Sequence, residues 1–260
     1  MNILLTGILS PMVWGMVERL GRDAHHVTML GQAGGLKPEH TSAVFHDMHP
    51  GNPDAQKLLQ AGRFHVIVFF YACQCEDTKE YGSVQGSMLD VLFQFQQTAS
   101  QCGVERFILI TDQRVFGSLQ EARENETPIP DSPTGILIKA AEDCLRYSKA
   151  DRMKTLIVRV TSLYMQGAED AFFSRALHHA RNNKPMVIDG TEDSPCDFLH
   201  ADDLALFLSL SLEADISGAA CLAKRCPWLS WLYSAGWPNG FLPCPGCSRP
   251  SALQISGFSM

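Results

Sequence analysis

The chain has 260 residues, 45% of them hydrophobic and 19% charged, a balance that supports one sizeable core and excludes a disordered chain. Its net charge of -7 argues against nucleic acid as a partner, because such binders need a basic surface to displace counterions. No apolar run approaches the roughly 20 residues that span a bilayer, so no membrane partner is expected.

The opening Met1-Asn2-Ile3-Leu4-Leu5-Thr6-Gly7 lacks the basic region and cleavage site of a targeting segment. Ile3-Leu4-Leu5-Thr6 instead reads as a buried parallel strand ending at Gly7. Ser10-Pro11 predicts a helix start, serine as cap and proline at the first helical position, with the helix running through Val17 and Leu20 to about Arg22. Val27-Thr28-Met29-Leu30 is a second strand, with Gly31 and Gly34-Gly35 opening a loop, and Ala43-Val44-Phe45 a weak third. Asn52-Pro53-Asp54 starts a helix that reaches Leu59. His65-Val66-Ile67-Val68-Phe69-Phe70 is continuous, β-branched and aromatic, the strongest strand signal in the chain.

A long helix is expected from about Val84 to Cys102, then a strand over Arg106-Phe107-Ile108-Leu109-Ile110. A polar loop leads to a helix from about Ser132 to Ser148, and Leu156-Ile157-Val158-Arg159-Val160 is a further strand. Helices near 170–182 and 201–213 close the regular part. Strand and helix alternating in this way imply an α/β fold, a doubly wound parallel sheet with helices on both faces.

All 28 acidic residues lie within 1–215, whereas the last 45 residues carry +3 and hold three of four tryptophans and four of nine cysteines. Cys221, Cys226, Cys244 and Cys247 approximate a zinc pattern, but the first pair is spaced too widely. A frameshifted or truncated gene end fits that composition better. Cys73, Cys75, Cys102, Cys144 and Cys196 stand in apolar segments and are expected as buried free thiols of a cytoplasmic protein. His25-His26 and His178-His179 are adjacent pairs that point apart. His46 and His49 could share a loop, with no third ligand in the spacing. No metal site is expected.

Seven stretches, in order, resemble the extended short-chain dehydrogenase/reductases, the NAD-dependent epimerases and dehydratases of nucleotide-sugars. Leu4-Leu5-Thr6-Gly7 falls where that family's Thr-Gly-x-x-Gly-x-x-Gly begins. Phe45-His46-Asp47-Met48 is similar to its Gly-Asp-Leu, and Val68 to Ala72 to the strand ending in paired alanines. Thr111 to Gly117 resembles Ser-Ser-x-x-Val-Tyr-Gly, and Ile138-Lys139-Ala140-Ala141-Glu142 resembles Ser-Lys-x-x-x-Glu. Val158 to Tyr164 resembles Leu-Arg-x-x-x-x-Tyr, and Asp197 to Leu204 resembles Asp-Phe-Val-His-Val-Asp-Asp-Leu.

The resemblance implies a Rossmann domain over 1–165, a reduced substrate lobe over 166–215 returning to the core, and an atypical tail over 216–260. It also implies a homodimer through the helices at 84–102 and 132–149, and a cofactor, NAD or NADP, bound through Gly7, Ser10, Met12, Asp47, Ala72 and Lys139. The family's motifs are altered where the chemistry sits. Its second and third phosphate-loop glycines are Ser10 and Val13, and Pro11 removes a backbone N–H that would face phosphate. Gly31 and Gln32 stand where an acidic residue would hold the ribose or a basic one a 2′-phosphate.

The family's tyrosine acts as acid/base with its phenol pKa lowered by a lysine four residues on. Lys139 keeps the lysine position, but Gly135 replaces the tyrosine, and Tyr147 is too far along the helix to substitute at about 1.5 Å per residue. The hydroxyl position is Asp112, with Thr111 beside it, and Gln85 replaces an asparagine. Thr111, Asp112 and Lys139 remain as weak catalytic candidates. The pattern points to a catalytically degenerate protein that binds NAD(P) or a nucleotide-sugar weakly, in a sensing or scaffolding role. The alternative is an active NAD(P)-dependent epimerase, dehydratase or reductase with relocated acid/base groups.

Overall fold

The computed structural model describes residues 1–9, 12–32, 43–71, 79–117, 126–147, 152–164, 179, 182, 198–214 and 216–222. The chain divides into two compact units, one of Met1–Val160 with Ala201–Cys221, the other of Thr161–His200 with Leu222–Met260.

In the first unit the elements follow in the order β1 (Asn2–Gly7), α1 (Met12–Arg22), β2 (His26–Gly31), β3 (Val44–Asp47), α2 (Pro53–Ala61), β4 (Val66–Phe70), α3 (Lys79–Gln101), β5 (Arg106–Asp112), a 3-10 turn (Gln113–Phe116), α4 (Pro133–Arg146) and β6 (Lys154–Val160). The strands align in the order β3-β2-β1-β4-β5-β6, with a seventh strand, Gly218–Leu222, beyond β6. Adjacent pairs from β3 to β6 are parallel. The order reverses between β1 and β4, so the chain leaves β1 in one direction and returns to build outward in the other. This is the doubly wound Rossmann order, and the crevice beyond the carboxyl ends of β1 and β4 is its switch point.

The strands are nearly unbroken apolar runs because both faces are covered. On one face Leu4, Ile67, Phe69, Phe107, Leu109 and Ile157 form a cluster with Leu59 of α2, Met88, Leu92 and Phe95 of α3, and Ile138, Ala141 and Leu145 of α4. Phe69 meets Phe95 edge-on at 5.9 Å and stacks with Phe107 at 6.2 Å. Ile3, Leu5, Met29, Val68 and Ile108 alternate with that set and are fully buried. Helix α1, buried through Val13, Met16, Val17 and Leu20, packs against α5 (Ala201–Glu213), buried through Leu204, Ala205, Leu208 and Leu212. No helix among the described residues is long and apolar enough to cross a membrane.

The caps follow the sequence. Asn52 accepts a hydrogen bond from the Asp54 N–H at 2.9 Å with Pro53 in the first turn, and Ser132 Oγ accepts from Gly135 N–H at 3.1 Å ahead of Pro133.

Several boundaries differ from the sequence reading. Helix α3 starts at Lys79 rather than Val84, since Gly82 and the polar residues around it interrupt the apolar period. Gly31 completes β2 rather than opening a loop, and β5 continues to Asp112. Cys102 is exposed rather than buried, because it follows the last turn of α3. Cys144 is half-buried, and Cys73, Cys75 and Cys196 lie outside the described residues. His46 is on β3 and His49 in the turn after it, so the two do not share a loop; His49 Nδ1 accepts from Gly51 N–H at 3.0 Å. The Ser10-Pro11 helix start and most of the helix expected near 170–182 fall outside the described residues.

In the second unit β7 (Ser162–Tyr164) and β8 (Phe198–His200) pair in parallel, and Tyr164 meets His200 edge-on at 4.9 Å.

Candidate functional site

At the switch point Gly7 ends β1 with a φ of +103°, beside the end of β4. A β-carbon there would fall 2.2 Å from the Phe70 carbonyl oxygen, so only glycine lets the two strand ends close. The same carbonyl accepts from Ile8 N–H at 2.7 Å. Leu9, the next residue, is half-buried and lies over the end of β2. A β-carbon on Gly31 would be 2.6 Å from Leu9 Cδ1 and 2.8 Å from its Cγ. Asp47 stands exposed at the end of β3, in register with Gly31. Val13 is buried in α1, so a side chain fills the position where the motif would bring helix and strand together through glycine. Ser10 and Ala72 lie outside the described residues; Met12 starts α1.

Further along the carboxyl edge, the candidate catalytic side chains are each engaged with a protein partner. Thr111 is buried on β5 and donates its hydroxyl to Glu142 Oε1 at 3.0 Å. Asp112 caps the 3-10 turn, accepting from Arg114 N–H at 2.8 Å, and takes the Arg114 guanidinium through Nε at 2.8 Å and through Nη2. Lys139 Nζ donates to Asp143 Oδ2 at 2.6 Å, one helical turn on. Each of the three candidates thus meets a protein partner of its own.

Position 135, one turn before Lys139, is closed by backbone. Gly135 is buried in the first turn of α4, which rests on the 3-10 turn, and a β-carbon there would fall 2.5 Å from the Arg114 carbonyl oxygen and 2.8 Å from Pro130 Cβ. Tyr147 is the C-cap of α4 and 82% exposed.

Two features escaped sequence reading. Glu142 and Arg159, each buried, form a two-point ion pair between α4 and β6 at 2.9 and 2.7 Å. Arg146 adds a third cationic contact to Glu142 at 3.3 Å, and Arg159 lies 4.8 Å from the centre of the Phe116 ring. Burial alone would lower the Arg159 pKa, but hydrogen bonding and charge from Glu142, with a further contribution from Cys221, raise it on balance, so the guanidinium is held charged. Tyr71, at the first of the family's paired alanines, is fully buried. Burial first, and the Cys144 thiol next, raise its phenol well above the usual tyrosine range. It is therefore neutral at ordinary pH and unsuited to the lowered-pKa role.

Comparisons with known proteins agree with this fold. The model of the NAD dependent epimerase/dehydratase family matches residues 14–220, and the chain belongs to that family. No curated protein matches it. Among solved structures, UDP-glucuronic acid 4-epimerase from Bacillus cereus, in complex with UDP-glucuronic acid and NAD, is 20% identical, with a TM-score of 0.81 over 100% of this chain and 90% of that one. UDP-glucose 4-epimerase from Thermus thermophilus, in complex with NAD, is 17% identical, with a TM-score of 0.79 over 100% and 90%. MoeE5, in complex with UDP-glucuronic acid and NAD, is 18% identical, with a TM-score of 0.80 over 98% and 88%.

Of the family's dinucleotide motif, Gly7 keeps the tight turn at the end of β1, while the second glycine, which lets backbone approach a pyrophosphate, is replaced by Ser10, outside the described residues. At the ribose end the residues do not fit, since Gly31 offers no acid and Leu9 fills the space above it.

Proposed function

We propose that this chain is a catalytically silent member of the NAD dependent epimerase/dehydratase family, acting as a sensor or scaffold rather than turning over a nucleotide-sugar. One observation carries the reading. The tyrosine position is Gly135, and the Arg114 carbonyl lies 2.5 Å from where any β-carbon would stand. The family's acid/base group is thus absent, and the backbone leaves no room for a side chain in its place. The engagement of buried Thr111 with Glu142 and of buried Asp112 with Arg114 supports the same conclusion. A proton shuttle needs a group free to reach its substrate.

Weak binding of NAD(P) or of a nucleotide-sugar accords with the retained Gly7 turn and the altered ribose end. UDP-sugars are the first ligands to try, because the similar epimerases hold UDP-glucuronic acid or UDP-glucose. Exposed Phe93 on α3 and Ile136 on α4 are compatible with the homodimer that the resemblance implies. The free thiols Cys102 and Cys144 accord with a reducing cytoplasm.

The test is product analysis after long incubation of concentrated protein with NAD and either UDP-glucose or UDP-glucuronic acid. The expected result is unchanged sugar. Epimerised or dehydrated product that disappears with Lys139→Ala would overturn the proposal.

A further inference from the structure

A dinucleotide crosses the switch-point crevice with its pyrophosphate at the first turn and its adenosine ribose at the end of the second strand, where an acidic side chain accepts from the hydroxyls. In this chain that strand end is Gly31, and the residue over it comes from the phosphate turn itself. Leu9 follows Gly7 by two positions, and its Cδ1 and Cγ fall 2.6 and 2.8 Å from where a β-carbon on residue 31 would be. Hydrocarbon cannot be displaced there at no cost, because Leu9 is half-buried. Nor does it replace the hydrogen bonds that ribose hydroxyls lose on leaving water.

We infer that Leu9 is an internal plug of the adenosine end, so that the crevice discriminates against adenine dinucleotides through this one side chain. The inference rests on the reading of the crevice as the family's dinucleotide site, and not on the loss of turnover. Gly31 and Leu9 are complementary: a residue with a side chain at 31 would need the space that Leu9 holds. Asp47, exposed and in register with Gly31, is the neighbouring carboxylate at the end of β3.

The experiment is calorimetric titration of the full chain, as wild type, Leu9→Ala, Gly31→Asp and the double variant, with NAD, ADP-ribose and nicotinamide mononucleotide. Leu9→Ala is expected to tighten NAD and ADP-ribose several-fold and to leave nicotinamide mononucleotide unchanged. Gly31→Asp alone should lower the melting temperature without gain in affinity. The double variant should add about tenfold or more over Leu9→Ala, the scale of a charge-assisted hydrogen bond. If Leu9→Ala folds poorly, Leu9→Val carries the same test, since it withdraws the outermost methyl carbons.

Equal NAD affinity in wild type and Leu9→Ala would overturn the plug. So would a gain shared by nicotinamide mononucleotide, or Gly31→Asp binding as well as the double variant. Turnover is read separately. A tighter Leu9→Ala variant with active wild type would sink the silent reading and keep the plug, and flat affinities with no turnover would do the reverse.

Discussion

Replacing Gly135 by alanine sets two opposed effects against each other. In an unobstructed helix the change would stabilise by about 1 kcal/mol, because alanine loses less backbone freedom and has the higher helix propensity. Here the added β-carbon would meet the Arg114 carbonyl oxygen at 2.5 Å, Pro130 Cβ at 2.8 Å and Ser132 Oγ at 3.2 Å. The serine hydroxyl can rotate away, but it also caps this helix. The carbonyl belongs to the 3-10 turn and cannot move without disturbing the Asp112 cap. Overpacking of this kind costs roughly 1–3 kcal/mol, and two contacts below 3 Å place Gly135→Ala toward the upper part of that range. The net expectation is a loss of about 1–2 kcal/mol, read as a lower urea midpoint with unchanged slope. Ile136→Ala, at an exposed neighbour, is the control and should change stability little. A Gly135→Ala variant more stable than wild type by about 1 kcal/mol would show that the position is open, and the physical basis of the silent reading would fail.

The remaining expectations follow from the same interactions. Glu142→Gln leaves Arg159 charged and buried, so it should cost about 3–5 kcal/mol in urea unfolding, whereas Glu142→Leu with Arg159→Met should recover much of it. Lys139→Ala should cost no more than about 0.5 kcal/mol, because its ion pair is partly exposed and lies within one helix. Tyr71 has a folded pKa above its unfolded value, and its neutral form is the protonated one. Its contribution to stability is therefore present below about pH 10 and lost as pH rises beyond it. Phenolate absorbance should show one of the five tyrosines ionising only with unfolding, and Tyr71→Phe should remove that step.

Much of the fold was readable because its signals are local. Continuous apolar runs mark β4 and β5, and Asn52-Pro53 and Ser132-Pro133 mark helix starts through hydrogen bonds spanning two or three residues. The three-residue strands β7 and β8 were not readable, since so short a run carries no period. At the site, the missing tyrosine was visible as Gly135, but the carbonyl that closes the position comes from residue 114. Glu142 and Arg159 each stood in a recognisable stretch, yet their pairing joins a helix to a strand and exists only in three dimensions. Leu9 gave no sign of its role, because the position it fills belongs to a different strand end. Thr111 and Asp112 were expected in a loop; their place on β5 explains why both side chains meet fixed partners.

The central claim is that the chain performs no hydride chemistry on a nucleotide-sugar. The most direct measurement is a single-turnover experiment in which excess protein is mixed with NAD and UDP-glucuronic acid while the absorbance of reduced nicotinamide is followed. The account predicts a flat trace for wild type and for Lys139→Ala alike. A rise in wild type that Lys139→Ala abolishes would contradict it.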